Sequence, residues 1–198
     1  MQDYAIDYLD DPFIEEMING KVYLMSRPSD EHLMVQYKLL KAFNNHFELH
    51  KKKCMAIFEK QLYINDKNYV QPDVMIYCKN NNEKKNKKIP LIVIEVLSDS
   101  TWKKDMTAKM TKYAESGIEE YWTIDYQAQR ITVYKLNDNI YELYESYYLP
   151  NENSFSLVPK LRKQQESEIV KEFSPALFPE IIISLEDVFD FEALEYIQ

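Results

Sequence analysis

The sequence predicts an α/β protein of the α+β kind, a mixed β-sheet flanked by helices, on three observations. Strand-forming stretches precede and follow helical ones without a strict βαβ repeat. The run from Leu91 to Leu97 is apolar on both alternating faces except at Glu95, the pattern of a central strand covered from both sides. Two segments, 29–50 and 103–116, carry apolar residues near helical spacing and are long enough to cover such a sheet.

Taken in order, Pro12 opens and Gly20 closes a short helix over DPFIEEMING, and KVYLMSR alternates as a strand. Ser29 caps a helix running to about His50, with Leu33, Tyr37, Leu40, Phe43 and Phe47 toward the core. Strands follow at 54–58, 61–64, 73–78 and 90–97. The helix at 103–116 ends at Gly117, and strands at 119–125, 130–136 and 140–148 complete the set. The lysine-rich tract 79–88 reads as a solvated hairpin loop, with a phosphate contact as the other reading. Residues 160–172 read as a charged insertion or exposed helix, after which FSPALFPEIIISLEDVF docks back on the body.

A chain of 198 residues suits one domain over 1–198, with its acidic ends packed on the core. An apolar share of 45% excludes a disordered chain, and no run is long and apolar enough to span a membrane. The first residues lack the basic and apolar regions of a signal peptide, so the expected location is cytoplasmic. Cys54 and Cys78 are too few for a disulfide framework or a zinc site and read as buried free thiols. The net charge of −9 comes from the ends: residues 1–20 and 180–198 each hold six acids and no base, which leaves +3 between them. A polyanionic partner is therefore compatible with the middle of the chain.

Glu95 lies near the end of the buried strand, where a carboxylate is costly unless it is paired, binds a metal, or faces a cleft. A structural glutamate bonded to a buried hydroxyl or base is one reading. The second rests on Asp73, which opens the strand DVMIYC just after Pro72: if the two strands are neighbours, both carboxylates converge as Mg²⁺ requires. On the following helix Trp102, Met106, Met110, Tyr113 and Ala114 form the buried stripe, and Lys109 lies at its edge, able to reach the cleft. Lys103, Lys104 and Lys112 look solvated. Asp105, one turn before Lys109, makes either a surface ion pair or part of the site. Ser100 or Thr101 caps this helix, Tyr113 and Trp122 read as core, and His46 and His50 read as dipole partners at a helix end.

The order PDVMIY, PLIVIEVLSDST and KKDMTAKMTKYAESGIEEYWTID resembles the Uma-type family of putative restriction endonucleases, within the PD-(D/E)XK nuclease superfamily. The likeness extends to EEMINGKVYLMSRPSDEH, with Glu16, Gly20 and His32, and to SPALFPEIIISLEDVF. It implies a restriction-endonuclease-like core and a Mg²⁺- or Mn²⁺-dependent endonuclease acting on DNA, with Asp73 and Glu95 as metal ligands. The superfamily's lysine falls at Leu97 here, and Lys109 on the next helix is the matching cation. Glu16, His32, Ser98, Asp105 and Tyr113 are expected to line the cleft. A homodimer would supply the two sites that double-strand cutting needs, with YELYESYYL as its interface. The other implied reading is a nuclease fold that no longer cuts and serves as a nucleic-acid-binding or assembly module.

Overall fold

A computed structural model describes residues 14–25, 27–79, 89–98, 102–150 and 170–196. Among the described residues the first elements are β1 (Ile14–Ile18) and β2 (Lys21–Met25), where the sequence predicts a helix closing at Gly20. Asn19 and Gly20 adopt φ of 53° and 76°, and Ile18 pairs with Lys21 across them. An Asn-Gly pair at positive φ makes a two-residue hairpin turn, so Gly20 reverses the chain here and does not end a helix. Glu16 and Ile18 then point inward while Glu15 is exposed, the alternation of a half-buried strand.

Helix α1 (Asp30–Leu49) begins at Ser29, whose Oγ accepts the His32 N–H at 3.3 Å. Its buried face is His32, Val35, Gln36, Leu39, Phe43 and Phe47, while Leu33 and Tyr37 are exposed, which rotates the expected stripe toward Val35 and Leu39. At its far end His46 is held below the ordinary histidine value by burial and by neighbouring His50, a poor state for a charged dipole partner.

Next come β3 (Cys54–Phe58), β4 (Leu62–Asn65), β5 (Asn68–Val70), β6 (Val74–Cys78) and β7 (Ile92–Val96). The short β5 was not visible in the sequence pattern. Cys54 and Cys78 are not free thiols: they are direct cross-strand partners on β3 and β6, with Cα atoms 4.0 Å apart, and form a disulfide. The 24-residue separation gives no disulfide signal by itself; pairing of β3 with β6 is what brings the sulfurs together.

Helix α2 has three parts, an α-helical start (Trp102–Lys104), a π turn (Asp105–Lys109) and an α-helical end (Met110–Ser116). Gly117, at φ 77°, ends it in the left-handed conformation. The remaining strands are β8 (Glu120–Asp125), β9 (Arg130–Asn137), β10 (Ile140–Tyr148), β11 (Glu172–Phe173) and β12 (Ile183–Ser184), followed by α3 (Leu185–Val188). The tract 80–88, the expected cap residues Ser100 and Thr101, and residues 160–169 lie outside the described residues.

Six strands form a mixed sheet in the order β10-β9-β8-β7-β6-β3, in which only β7 and β8 are parallel; β2-β1-β5-β4 form a second, antiparallel sheet. The parallel pair requires a crossover, and α2 supplies it. On one face of the six-stranded sheet, Ile92, Ile94, Val96 and Trp122 pack with Leu39, Phe43 and Phe47 of α1 and with Phe173, Phe178 and Leu185 of the carboxy-terminal segment. On the other face, Met75, Val93 and Tyr121 pack with Tyr113 and Ala114 of α2 and with Ile18, Leu62 and Val70 of the small sheet. Glu95 shares the face of Val93, so it points between the large sheet, α2 and the hairpin β1–β2.

Candidate active site

Strands β6 and β7 are antiparallel with Val74 opposite Ile94, and the same register carried one residue further sets Asp73 opposite Glu95. Both carboxylates therefore lie at one strand end, Asp73 turned to α1 and Glu95 to α2. Asp73 is tightly held. Its Oδ2 accepts the Val96 N–H at 2.6 Å, and its Oδ1 meets His32 Nε2 and the Gln36 amide, each at 2.9 Å. His32 and Gln36 are four residues apart on α1, so one helix face presents both to the aspartate. With its side chain 17% exposed, Asp73 is also the carboxylate of the group that meets solvent.

Glu95 is buried on β7 and accepts the Tyr113 hydroxyl at 2.5 Å on Oε1. The Lys109 ammonium stands 2.7 Å from the same oxygen, 3.0 Å from Glu16 Oε1 and 3.2 Å from Asp105 Oδ1. Lys109 is 1% exposed, so it lies inside the stripe and not at its edge. The π turn explains the change. Widening the helix by one residue brings Asp105 and Lys109 inward above Tyr113, and leaves Trp102 at the surface, 54% exposed. Asp105 is thus no surface partner: its side chain is buried, and its carbonyl accepts the Tyr121 hydroxyl at 3.0 Å.

Glu16 closes the site from the hairpin, accepting the Gln71 N–H at 3.0 Å and pairing with both Lys109 and Lys104. Lys104, read as solvated, is instead an ion-pair partner of a buried carboxylate, and its ammonium also lies 5.5 Å from the centroid of the Tyr23 ring. Ser98 ends the strand region, its carbonyl accepting the Trp102 N–H at 2.9 Å as α2 begins. Gln36, Lys104 and Tyr121 were missed in the sequence. The signal for Gln36 was a polar residue one helical turn from His32 within a buried stripe; no pattern flagged the other two.

The charges shift each other. Burial pushes the Glu95 carboxyl well above its ordinary range; Lys109 opposes this, and Asp105, Asp73 and Glu16 reinforce it. Burial alone would lower Lys109, but Glu95, Tyr113, Asp105 and Glu16 together hold it well above the usual lysine value, so it is an ammonium at neutral pH. At Glu16 burial is outweighed by Lys109 and Lys104, and its carboxyl lies below the ordinary range. The site gathers four carboxyl groups, Asp73, Glu95, Glu16 and Asp105, around the ammonium groups of Lys109 and Lys104.

The family model for Uma2, "Putative restriction endonuclease", matches residues 2–169. The chain belongs to the Uma2 family. An uncharacterized protein of Synechocystis sp. is 29% identical over 127 residues, which cover 63% of this chain and 67% of that protein. The crystal structure of "a putative nuclease belonging to DUF820" from Anabaena variabilis is similar at a TM-score of 0.61 and 18% identity, over 88% of this chain and 89% of that one. The mixed sheet flanked by helices is therefore a fold shared with that protein; the motifs PDVMIY, PLIVIEVLSDST and KKDMTAKMTKYAESGIEEYWTID lie within the matched residues, and SPALFPEIIISLEDVF lies beyond them. No helix among the described residues is long and apolar enough to cross a membrane.

Proposed function

We propose that this Uma2 protein is a divalent-metal-dependent endonuclease that hydrolyses phosphodiester bonds in DNA, with Mg²⁺ or Mn²⁺ as its cofactor. One observation carries the reading: Asp73 and Glu95 stand opposite each other at one strand end, and the Lys109 ammonium lies 2.7 Å from Glu95. The donor set fits a hard divalent cation. Carboxyl groups outnumber the ammonium groups here, and carboxylate oxygen is such an ion's preferred ligand. Among the described residues no three His, Cys, Asp or Glu side chains are gathered in metal-holding geometry. Asp73 and Glu95 would thus hold the ion as a pair, the usual arrangement for Mg²⁺, which keeps several waters and takes substrate oxygens.

When bound, the ion supplies Lewis-acid charge and lowers the pKa of a water. The rest is done by the chain. His32, Gln36 and the Val96 N–H fix the orientation of Asp73, and the Tyr113 hydroxyl fixes that of Glu95. Lys109 remains protonated in its carboxylate cage, so its role is a fixed positive charge beside the developing phosphate charge and not a general base. Glu16 and Asp105 hold that charge in place. Because the ammonium of Lys109 reaches Glu95 from α2, leucine at position 97 does not leave the site without a cation, and this favours a working nuclease over an inert module. A homodimer would supply the two sites needed to cut both strands of a duplex.

Nicking of supercoiled plasmid in Mg²⁺ or Mn²⁺ tests the reading, alongside Asp73→Asn and Glu95→Gln. Cleavage by the natural protein, lost in both variants while their melting transitions stay cooperative, is the expected result. Metal-independent nicking, or full activity in either variant, would overturn it.

A further inference from the structure

The π turn of α2 is held by hydroxyl groups. Thr107 Oγ1 donates to the Lys103 carbonyl at 2.6 Å and Thr111 Oγ1 to the Thr107 carbonyl at 3.0 Å, both on the helix's exposed side. A threonine that bonds back four residues in this way bends a helix. The third hydroxyl comes from outside the helix. Tyr121 on β8 donates to the carbonyl of Asp105, the residue that opens the turn, at 3.0 Å. The Tyr121 side chain is fully buried, and its strand sets it opposite Val93, on the sheet face that α2 covers. Its ring centroid lies 5.4 Å from that of Tyr113 and 5.6 Å from that of Tyr141, whose own hydroxyl donates to the Ile118 carbonyl at 2.8 Å. The Tyr121 hydroxyl is therefore a fixed point against which the Asp105 carbonyl is placed.

A buried tyrosine hydroxyl needs a partner, and many carbonyls would serve. This one belongs to the residue whose carboxylate stands 3.2 Å from the Lys109 ammonium. The π turn sets the two halves of α2 in register so that Asp105 and Lys109 are both buried. An α-helix advances about 100° per residue, so relaxing the turn's one extra residue swings the first half by about 100° against the half that carries Lys109 and Tyr113. That swing takes Asp105 from Lys109 and Lys104 from Glu16. We propose that Tyr121 is a positioning residue of the site: its hydroxyl keeps the π turn in place, and the turn keeps the Asp105 carboxylate and the Lys109 ammonium together beside Glu95. Its effect on cleavage rests on the nuclease reading, whereas its effect on the charge cage rests on the fold alone.

Tyr121→Phe keeps the ring and removes only the hydroxyl. A double-mutant cycle with Asp105→Asn, read by urea unfolding of the full chain, tests the inference without requiring activity. In Tyr121→Phe the Asp105 carboxylate has already left the ammonium, so Asp105→Asn should change the unfolding constant at least about fivefold less there than in the natural protein. Tyr141→Phe removes a hydroxyl of the same ring cluster that bonds away from the turn, and its effect should multiply with that of Asp105→Asn to within about twofold. In plasmid nicking Tyr121→Phe should lower kcat about tenfold with KM for the plasmid unchanged, and adding Asp105→Asn should slow it no further. Independent effects of Tyr121→Phe and Asp105→Asn on unfolding, or equal coupling in the Tyr141→Phe cycle, would overturn the inference. Coupling on unfolding with an unchanged kcat would overturn the part of Tyr121 in cleavage. If the natural protein does not nick at all, the nuclease reading falls and the urea cycle still decides the role of Tyr121.

Discussion

Replacing Lys109 with methionine keeps most of the stem's packing and deletes a charge that three buried carboxylates share. The ammonium is 2.7 Å from Glu95, 3.0 Å from Glu16 and 3.2 Å from Asp105. Breaking a buried pair by removing one partner costs about 3–5 kcal/mol. Lys104 still neutralises Glu16 and Tyr113 still donates to Glu95, which places the expected loss near the lower end, about 3 kcal/mol at neutral pH. The pH dependence has a definite sign. Burial and the surrounding carboxylates already raise Glu95, and Lys109 is the group that opposes them, so the variant's folded pKa rises further above its unfolded value. An acid raised on folding favours the folded state when protonated, so its penalty is full above the folded pKa and fades as pH falls through it. Urea unfolding of both proteins across that range should show a large deficit at neutral pH that shrinks on acidification. The variant should also keep or gain Mg²⁺ affinity, since a positive charge has left the site, while losing cleavage. A deficit under about 1 kcal/mol, the scale of a surface pair, and equal at every pH, would refute the buried cage.

Glu16→Gln tests the opposite sign. Lys109 and Lys104 hold Glu16 below the ordinary carboxylate range despite its burial, so its contribution is present above the unfolded value and is lost as pH falls through the folded one. The variant should be less stable at neutral pH and lose less on acidification, as read by urea midpoints. Tyr113→Phe removes the buried hydroxyl that Glu95 accepts at 2.5 Å and should cost about 1–2 kcal/mol by denaturant titration, with slower plasmid nicking. Cys54→Ser with Cys78→Ser opens a loop closed across 24 residues and should lower stability by about 3 kcal/mol, matching what a reductant does to the natural protein. An unchanged melting midpoint in reductant would show that the disulfide contributes nothing.

Much of the sheet was legible because its signals are local. The alternating faces of 90–97, the Ser29 cap and Gly117 as a helix end all depend on neighbouring residues, and the structure places β7, α1 and α2 there. The errors arose where a distant partner decides. Pro12 and Gly20 are consistent with a helix until Asn19 is read with Gly20 as a hairpin turn. Cys54 and Cys78 become a pair only through the β3–β6 register. Asp73 and Glu95 could be picked out as acids near strand ends, but that they stand opposite one another follows from a pairing the sequence does not state.

Lys109 shows how topology can set a site that periodicity misplaces. A lysine at position 97 would share the face of Glu95 from the same strand and reach the cleft directly. Here that strand continues in ladder contact instead, with the Leu97 N–H donating to the Ile124 carbonyl at 2.7 Å. The parallel pairing of β7 and β8 obliges the chain to cross over one sheet face, and Tyr113 and Ala114 show that α2 packs on the face carrying Val93 and Glu95. Any buried residue one turn before Tyr113 on that helix must then point at Glu95. A regular 3.6-residue period from Trp102 leaves Lys109 at the stripe's edge; the π turn brings it to the centre with Asp105 one turn behind. The position of the positive charge is therefore fixed by the crossover and the π turn, and position 97, just past β7, is free to be leucine.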